Sequence, residues 1–136
     1  MILGMGTDIV DARRIGRAID HFPTRFINRI FTEAERHAAA ALPQPHAYFA
    51  KRFAAKEAVY KALSAAGVRG LGWQQAETLN QQNGAPMLRL TGQCKTALEA
   101  MAPDGYKAHI SISLSDEPPY ALAFVIIYAA PLKLDS

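Results

Sequence analysis

The stretch from residue 47 to residue 66 has room for one long helix with two chemically distinct faces, and whatever folds around it must satisfy both. At 3.6 residues per turn Ala55, Val59, Ala62 and Ala66 form a buried side, while Phe53, Glu57, Lys61 and Ser64 make a neighbouring stripe. Glu57 stacks over Lys61 at a spacing of four, and Lys51, Arg52 and Lys56 add cations to the same run. Taken alone, that spacing is most often a surface ion pair worth about 0.3–0.5 kcal/mol. The other reading is a site, and it depends on a second acid.

That acid lies near the N-terminus. Residues 2–10 alternate, with Leu3, Met5, Thr7 and Ile9 on one side and Ile2, Gly4, Gly6, Asp8 and Val10 on the other. Asp8 therefore points across a surface kept open by glycines, as a ligand or as a cap for the turn that follows. Two such acids suggest a shared metal. Asp11 is placed to cap a helix whose buried stripe is Ile15, Ile19 and Phe22, leaving Arg14 and Arg17 outward. Arg13, Arg14, Arg17, Arg25 and Arg29 face only Asp11 and Asp20 between residues 11 and 30. Such a surface steers an acidic partner, or is a solvated helix face.

The remaining elements follow from local signals. Thr32 and Glu35 have capping-box spacing for a helix from residue 33 that ends before Pro43, and Pro43 and Pro45 mark a loop. Residues 74–80 and 86–90 read as a hairpin turned at Asn83-Gly84, after a loop at Gly67–Gly72. Thr91 is placed to cap a short helix ending near Pro103, and strands at His109–Leu114 and Tyr120–Tyr128 are separated by residues 116–119. Cys94, in register with Ala97, Leu98 and Met101, belongs to the core.

With 136 residues, half of them hydrophobic and a fifth charged, the chain is expected to fold as a single domain over residues 1–136. The longest apolar stretch, which includes Val125–Ala130, falls short of the roughly 20 residues that cross a bilayer. Met1-Ile-Leu-Gly has no basic segment ahead of it, and one cysteine cannot form an internal disulfide, so the expected compartment is a reducing cytoplasm. A net charge of +3 without interleaved aromatics argues against nucleic acid as the partner.

Three sequence words in order carry a resemblance. Gly6-Thr-Asp8-Ile-Val, then Arg52-Phe-Ala-Ala-Lys-Glu57-Ala-x-x-Lys61-Ala, then Ser-Ile-Ser-Leu-Ser-Asp-Glu followed by Ala-Phe-Val-Ile-Ile, resemble holo-acyl-carrier-protein synthases, the small AcpS-type phosphopantetheinyl transferases. The middle word is the specific one. The resemblance implies an α+β fold with a long helix packed on an antiparallel sheet, a homotrimer with sites between subunits, and a role in fatty acid synthesis. It implies transfer of phosphopantetheine from coenzyme A to a serine of apo acyl carrier protein, releasing adenosine bisphosphate. Asp8 and Glu57 would hold magnesium, a hard ion usually bound by one or two carboxylates plus substrate phosphates. Lys61 would act on the leaving group, with Glu57 and His109 as further catalytic candidates. Arg52, Lys61, Ser64, Pro86 and Ser111 would contact coenzyme A, and Arg14, Arg17 and Arg25 the acidic carrier, with Arg29 a further candidate.

The chain departs from the family pattern at three places. Ser64-Ala65-Ala66 stands where Gly-Thr-Gly is common, and Gly84-Ala85-Pro86 where Gly-Lys-Pro is usual. Ser111 occupies the position of a family histidine, and His109 lies two residues earlier on the same strand face. A two-residue slip with a compensating bulge would bring the imidazole back into place; otherwise the histidine's contribution is missing or replaced. The alternative function is a non-catalytic carrier-binding domain with an altered coenzyme A site.

Overall fold

The computed structural model describes residues 1–67 and 69–133. Strand β1 (Ile2–Asp11) leads into helices α1 (Ala12–His21), α2 (Pro23–Ile30), α3 (Glu33–Ala40) and the long α4 (His46–Leu63). Two 3-10 turns, Ser64–Ala66 and Trp73–Gln75, precede β2 (Ala76–Asn80), β3 (Pro86–Leu90), α5 (Gly92–Ala100), β4 (Tyr106–Glu117) and β5 (Tyr120–Pro131). The order β1-β5-β4 makes an antiparallel three-stranded sheet, and β2 pairs with β3 in a separate two-stranded one. The arrangement is the expected α+β fold.

Alternation along the strands gives the large sheet two unlike faces. Gly6, Val125 and Ile112 are paired across the inner face, as are Asp8, Ala123 and Leu114. α4 lies on this face, and its Ala54, Ala55, Ala58, Val59, Ala62 and Leu63 are buried among Val125, Ile127 and Ala123. The outer face carries Met5 and Ile9 of β1 beside Leu122 and Phe124 of β5, all exposed.

Several local readings are met closely. Thr32 and Glu35 form the capping box, Asp11 caps α1 through the Arg13 amide, and Cys94 is fully buried. Others need correction. Phe22 is 52% exposed rather than buried, because α1 ends at His21 and Pro23 starts α2, so residue 22 falls at a corner. Ala66 is exposed because α4 stops at Leu63 and tightens into a 3-10 turn. Thr91 makes no side-chain cap for α5; Gln75 Oε1 accepts from the Cys94 amide instead, at 3.2 Å.

Candidate active site

The cleft begins with two missing side chains on β1. A Cβ at Gly6 would stand 2.0 Å from the Ala58 carbonyl oxygen, and one at Gly4 2.7 Å from that of Ala62. Glycine at these positions therefore lets the α4 backbone lie directly on the strand. Ala58 is clamped in this way, so its neighbour Glu57 and the residue one turn on from Glu57, Lys61, are carried to the edge of the strand where Asp8 projects. Asp8 and Glu57 line one cleft of about 510 Å³, with Val10, Arg14 and Phe53 among its walls.

Lys61 does not pair with Glu57, as their spacing allows. Its Nζ reaches across to β1, donating to Asp8 Oδ1 at 3.1 Å and to the Thr7 carbonyl at 2.9 Å. Burial and, second to it, the charge of Asp8 push the Glu57 carboxyl above its ordinary value, against the opposing pull of Lys61 and Arg14. Two carboxylates facing one open space, with the charge of Asp8 opposing ionisation of Glu57, suit a divalent cation that would relieve the repulsion. No cluster of three or more His, Cys, Asp or Glu side chains able to hold a metal occurs among the described residues. Two acids are nevertheless the usual protein share for magnesium, which takes its other oxygens from phosphates and water.

Arg52 lies elsewhere. Five residues before Glu57 on a helix is about 140° around the axis. Arg52 is only 2% exposed; it donates to Asn80 Oδ1 at 2.9 Å and its guanidinium lies 3.8 Å from the centre of the Tyr48 ring. Its buried Nε has no partner among the described residues. This end of the helix borders a separate groove of about 900 Å³, where His37, Tyr48, Lys51, Leu79 and Asn80 join Arg52. Pro86, paired with Asn80 across the hairpin, stands next to that groove. Ser64 is exposed beyond the end of α4 and donates its hydroxyl to the Lys61 carbonyl at 2.6 Å.

His109 and Ser111 are on the outer face of the sheet, opposite the acids. The β4–β5 ladder runs without interruption from Tyr106–Pro131 to Glu117–Tyr120, so it holds no bulge that would bring His109 into the place of Ser111. His109 stacks on its cross-strand partner Tyr128 with ring centres 5.3 Å apart, and Ser111 pairs with Ile126.

The arginines divide by partner. Arg13 closes on Asp11 at 2.8 Å, while Arg14 and Arg17 stay exposed on α1. Arg14 sits 5.8 Å from the Phe53 ring centre and so reaches from the acid cleft to an aromatic pocket. That pocket, about 410 Å³, is built from Phe22, Phe26, Phe53 and Trp73, with Arg25 and Arg29 at its edge. The sequence reading missed this pocket, and also Tyr48 and Asn80 beside Arg52. Phe22 was the available signal, since an aromatic residue next to Pro23 ends the buried stripe of α1.

A long alanine-faced helix clamped on a glycine-bearing strand, with Asp8, Glu57 and Lys61 at their junction, fits the phosphopantetheinyl-transferase class that the three sequence words resemble. The family model described as the 4'-phosphopantetheinyl transferase superfamily matches residues 4–125, and the chain belongs to that family of transferases. Holo-acyl-carrier-protein synthase of Xanthobacter autotrophicus is 47% identical over 131 residues, 96% of this chain and 97% of the relative. The crystal structure of the Neisseria meningitidis holo-acyl-carrier-protein synthase superposes with a TM-score of 0.79 at 35% identity, covering 94% of this chain and 99% of that one. The Bacillus anthracis enzyme, solved in complex with CoA (3',5'-ADP), gives a TM-score of 0.72 at 30% identity, covering 93% and 96%. No helix among the described residues is long and apolar enough to cross a membrane.

Proposed function

We propose that this chain moves the phosphopantetheine arm of coenzyme A onto a serine of an apo acyl carrier protein, in the cytoplasm and in the service of fatty acid synthesis. The observation that carries the reading is that Asp8 and Glu57 line one cleft while Lys61 donates to Asp8 beside it. The carrier serine oxygen forms a bond to the phosphorus that bears the pantetheine, and its hydroxyl proton is released to solvent. The bond from that phosphorus to the bridging oxygen breaks, and 3',5'-adenosine bisphosphate leaves with the electron pair. Asp8 and Glu57 would hold magnesium, which would supply charge neutralisation for the pyrophosphate. Lys61 brings its ammonium to the leaving oxygen, and Arg14 stands beside the cleft where the acidic carrier would approach.

One copy of the chain does not gather all the coenzyme A candidates, since Arg52 and Pro86 border one groove while His109 and Ser111 lie on the outer sheet face. The exposed Met5, Ile9, Leu122 and Phe124 on that face support assembly into a homotrimer. There the neighbouring copy supplies what the Asp8 cleft lacks. In a direct test, the protein is incubated with apo carrier protein, coenzyme A and magnesium, and the carrier is weighed by intact mass spectrometry. One added phosphopantetheine that is lost when magnesium is omitted is expected. An unmodified carrier under all conditions would sink the reading and leave only carrier binding.

A further inference from the structure

We infer that Lys61 is the resident counter-ion of Asp8, and that a divalent cation enters this site by exchange with the Lys61 ammonium rather than by addition to a vacant pair of acids. The inference rests on the metal reading proposed above and deepens it. The Asp8 side chain is only 16% exposed, so its charge needs compensation from the protein, and the Lys61 ammonium is hydrogen-bonded to it at 3.1 Å. Among the described residues no other cation forms an ion pair with Asp8; Arg14, which lines the same cleft, pairs with neither acid.

The ammonium is anchored rather than loosely placed. A second bond to the Thr7 carbonyl at 2.9 Å holds it against the strand, and the Lys61 backbone is fixed by the contact of α4 with Gly6 and Gly4. An oxygen that accepts from Lys61 has less to offer a metal, because both cations draw on the same lone pairs. When a metal takes that carboxylate, the ammonium is freed beside the cleft that Asp8 and Glu57 line. The side chain is 53% exposed and has room to turn. One lysine thus holds the acid in the empty protein and becomes available for the leaving group once the metal is in place.

The test uses the full chain without coenzyme A. Side-chain ammonium NMR identifies the Lys61 signal by its loss in Lys61→Met, and Mg²⁺ alone is titrated in. Mn²⁺ affinity is measured by electron paramagnetic resonance for the wild type, Lys61→Met and Asp8→Asn. Exchange predicts that Mg²⁺ shifts or broadens the Lys61 signal, and that Lys61→Met binds Mn²⁺ about fivefold tighter, or more, once the competing pair is gone. If Asp8→Asn abolishes Mn²⁺ binding while the Lys61 signal ignores Mg²⁺, or while Lys61→Met binds no tighter, exchange is overturned and the metal reading stands. If Mn²⁺ binding does not depend on Asp8, the metal reading itself fails and exchange falls with it.

Discussion

At the scale of single residues, hydrogen atoms at position 6 decide where α4 lies. Gly6→Ala would drive a methyl group to 2.0 Å from the Ala58 carbonyl oxygen, and backbone on both sides leaves no flexible side chain to yield. We expect a loss of about 3 kcal/mol or more, at or beyond the upper end of ordinary overpacking, read from the urea midpoint. Gly84→Ala meets open space but keeps a φ of +86°, so it should cost only about 1 kcal/mol. Equal stability of the two variants would mean that the strand–helix contact does not set the position of α4. Asp11 gives a pH signature. Hydrogen bonds from Arg13 hold its carboxyl down to about 2 from the ordinary 3.8. A depressed folded value means that the contribution is fully present above 3.8 and fades as pH falls toward about 2. The gap in urea midpoint between wild type and Asp11→Asn should therefore be constant from pH 6 to about 5 and narrow below pH 4. A gap that widens on acidification would contradict the pairing.

At the scale of elements, the signals that were legible are those that operate within a few residues. The capping box at Thr32 and Glu35 and the turn at Asn83-Gly84 each close on themselves, so sequence spacing places them. Lys61 and Lys56 look alike in the sequence and have opposite fates, because their partners are 53 and 21 residues away. Lys56 is fully buried, donating to Glu35 Oε1 and to the Ala76 carbonyl, both at 2.8 Å. Glu35 in turn accepts from the Thr32 and Thr78 amides, so one carboxylate ties α3, α4 and the edge of β2 together. Burial pushes the Lys56 ammonium below its ordinary value, with Glu35 pulling the other way. Lys56→Met leaves Glu35 buried without its cation and should cost about 3–5 kcal/mol, whereas Lys56→Met combined with Glu35→Gln should cost less than the two single losses added together. Additive losses would show that the pair contributes no coupling. The placement of His109 and Ser111 opposite Asp8 was hidden for a related reason. Alternation shows that the two share a face, but the route from that face to Asp8 runs through the register of β5 against both neighbours.

At the scale of the whole molecule, the large sheet is finished on one side only. α4 covers the inner face, while Met5 at 61%, Ile9 at 62% and Phe124 at 37% exposure lie together on the outer one. A contiguous apolar face of this kind marks an association surface, and each such side chain gains roughly 1.5–3 kcal/mol if fully buried by another copy. Phe124 is the informative position because it sits on the central strand, between Thr7 and Ser113, and points away from α4. Phe124→Glu should leave the circular dichroism spectrum of the chain unchanged, since the inner-face core is untouched. By sedimentation it should turn the proposed trimer into a monomer. Carrier modification should then fall by about 100-fold, the scale expected when reacting groups lose their placement. Mn²⁺ binding should persist, because Asp8, Glu57 and Lys61 belong to one copy. That split separates a site completed by its neighbour from a site destroyed. A monomeric wild type, or a monomeric Phe124→Glu that modifies the carrier at full rate, would show that the outer face plays no part in the reaction.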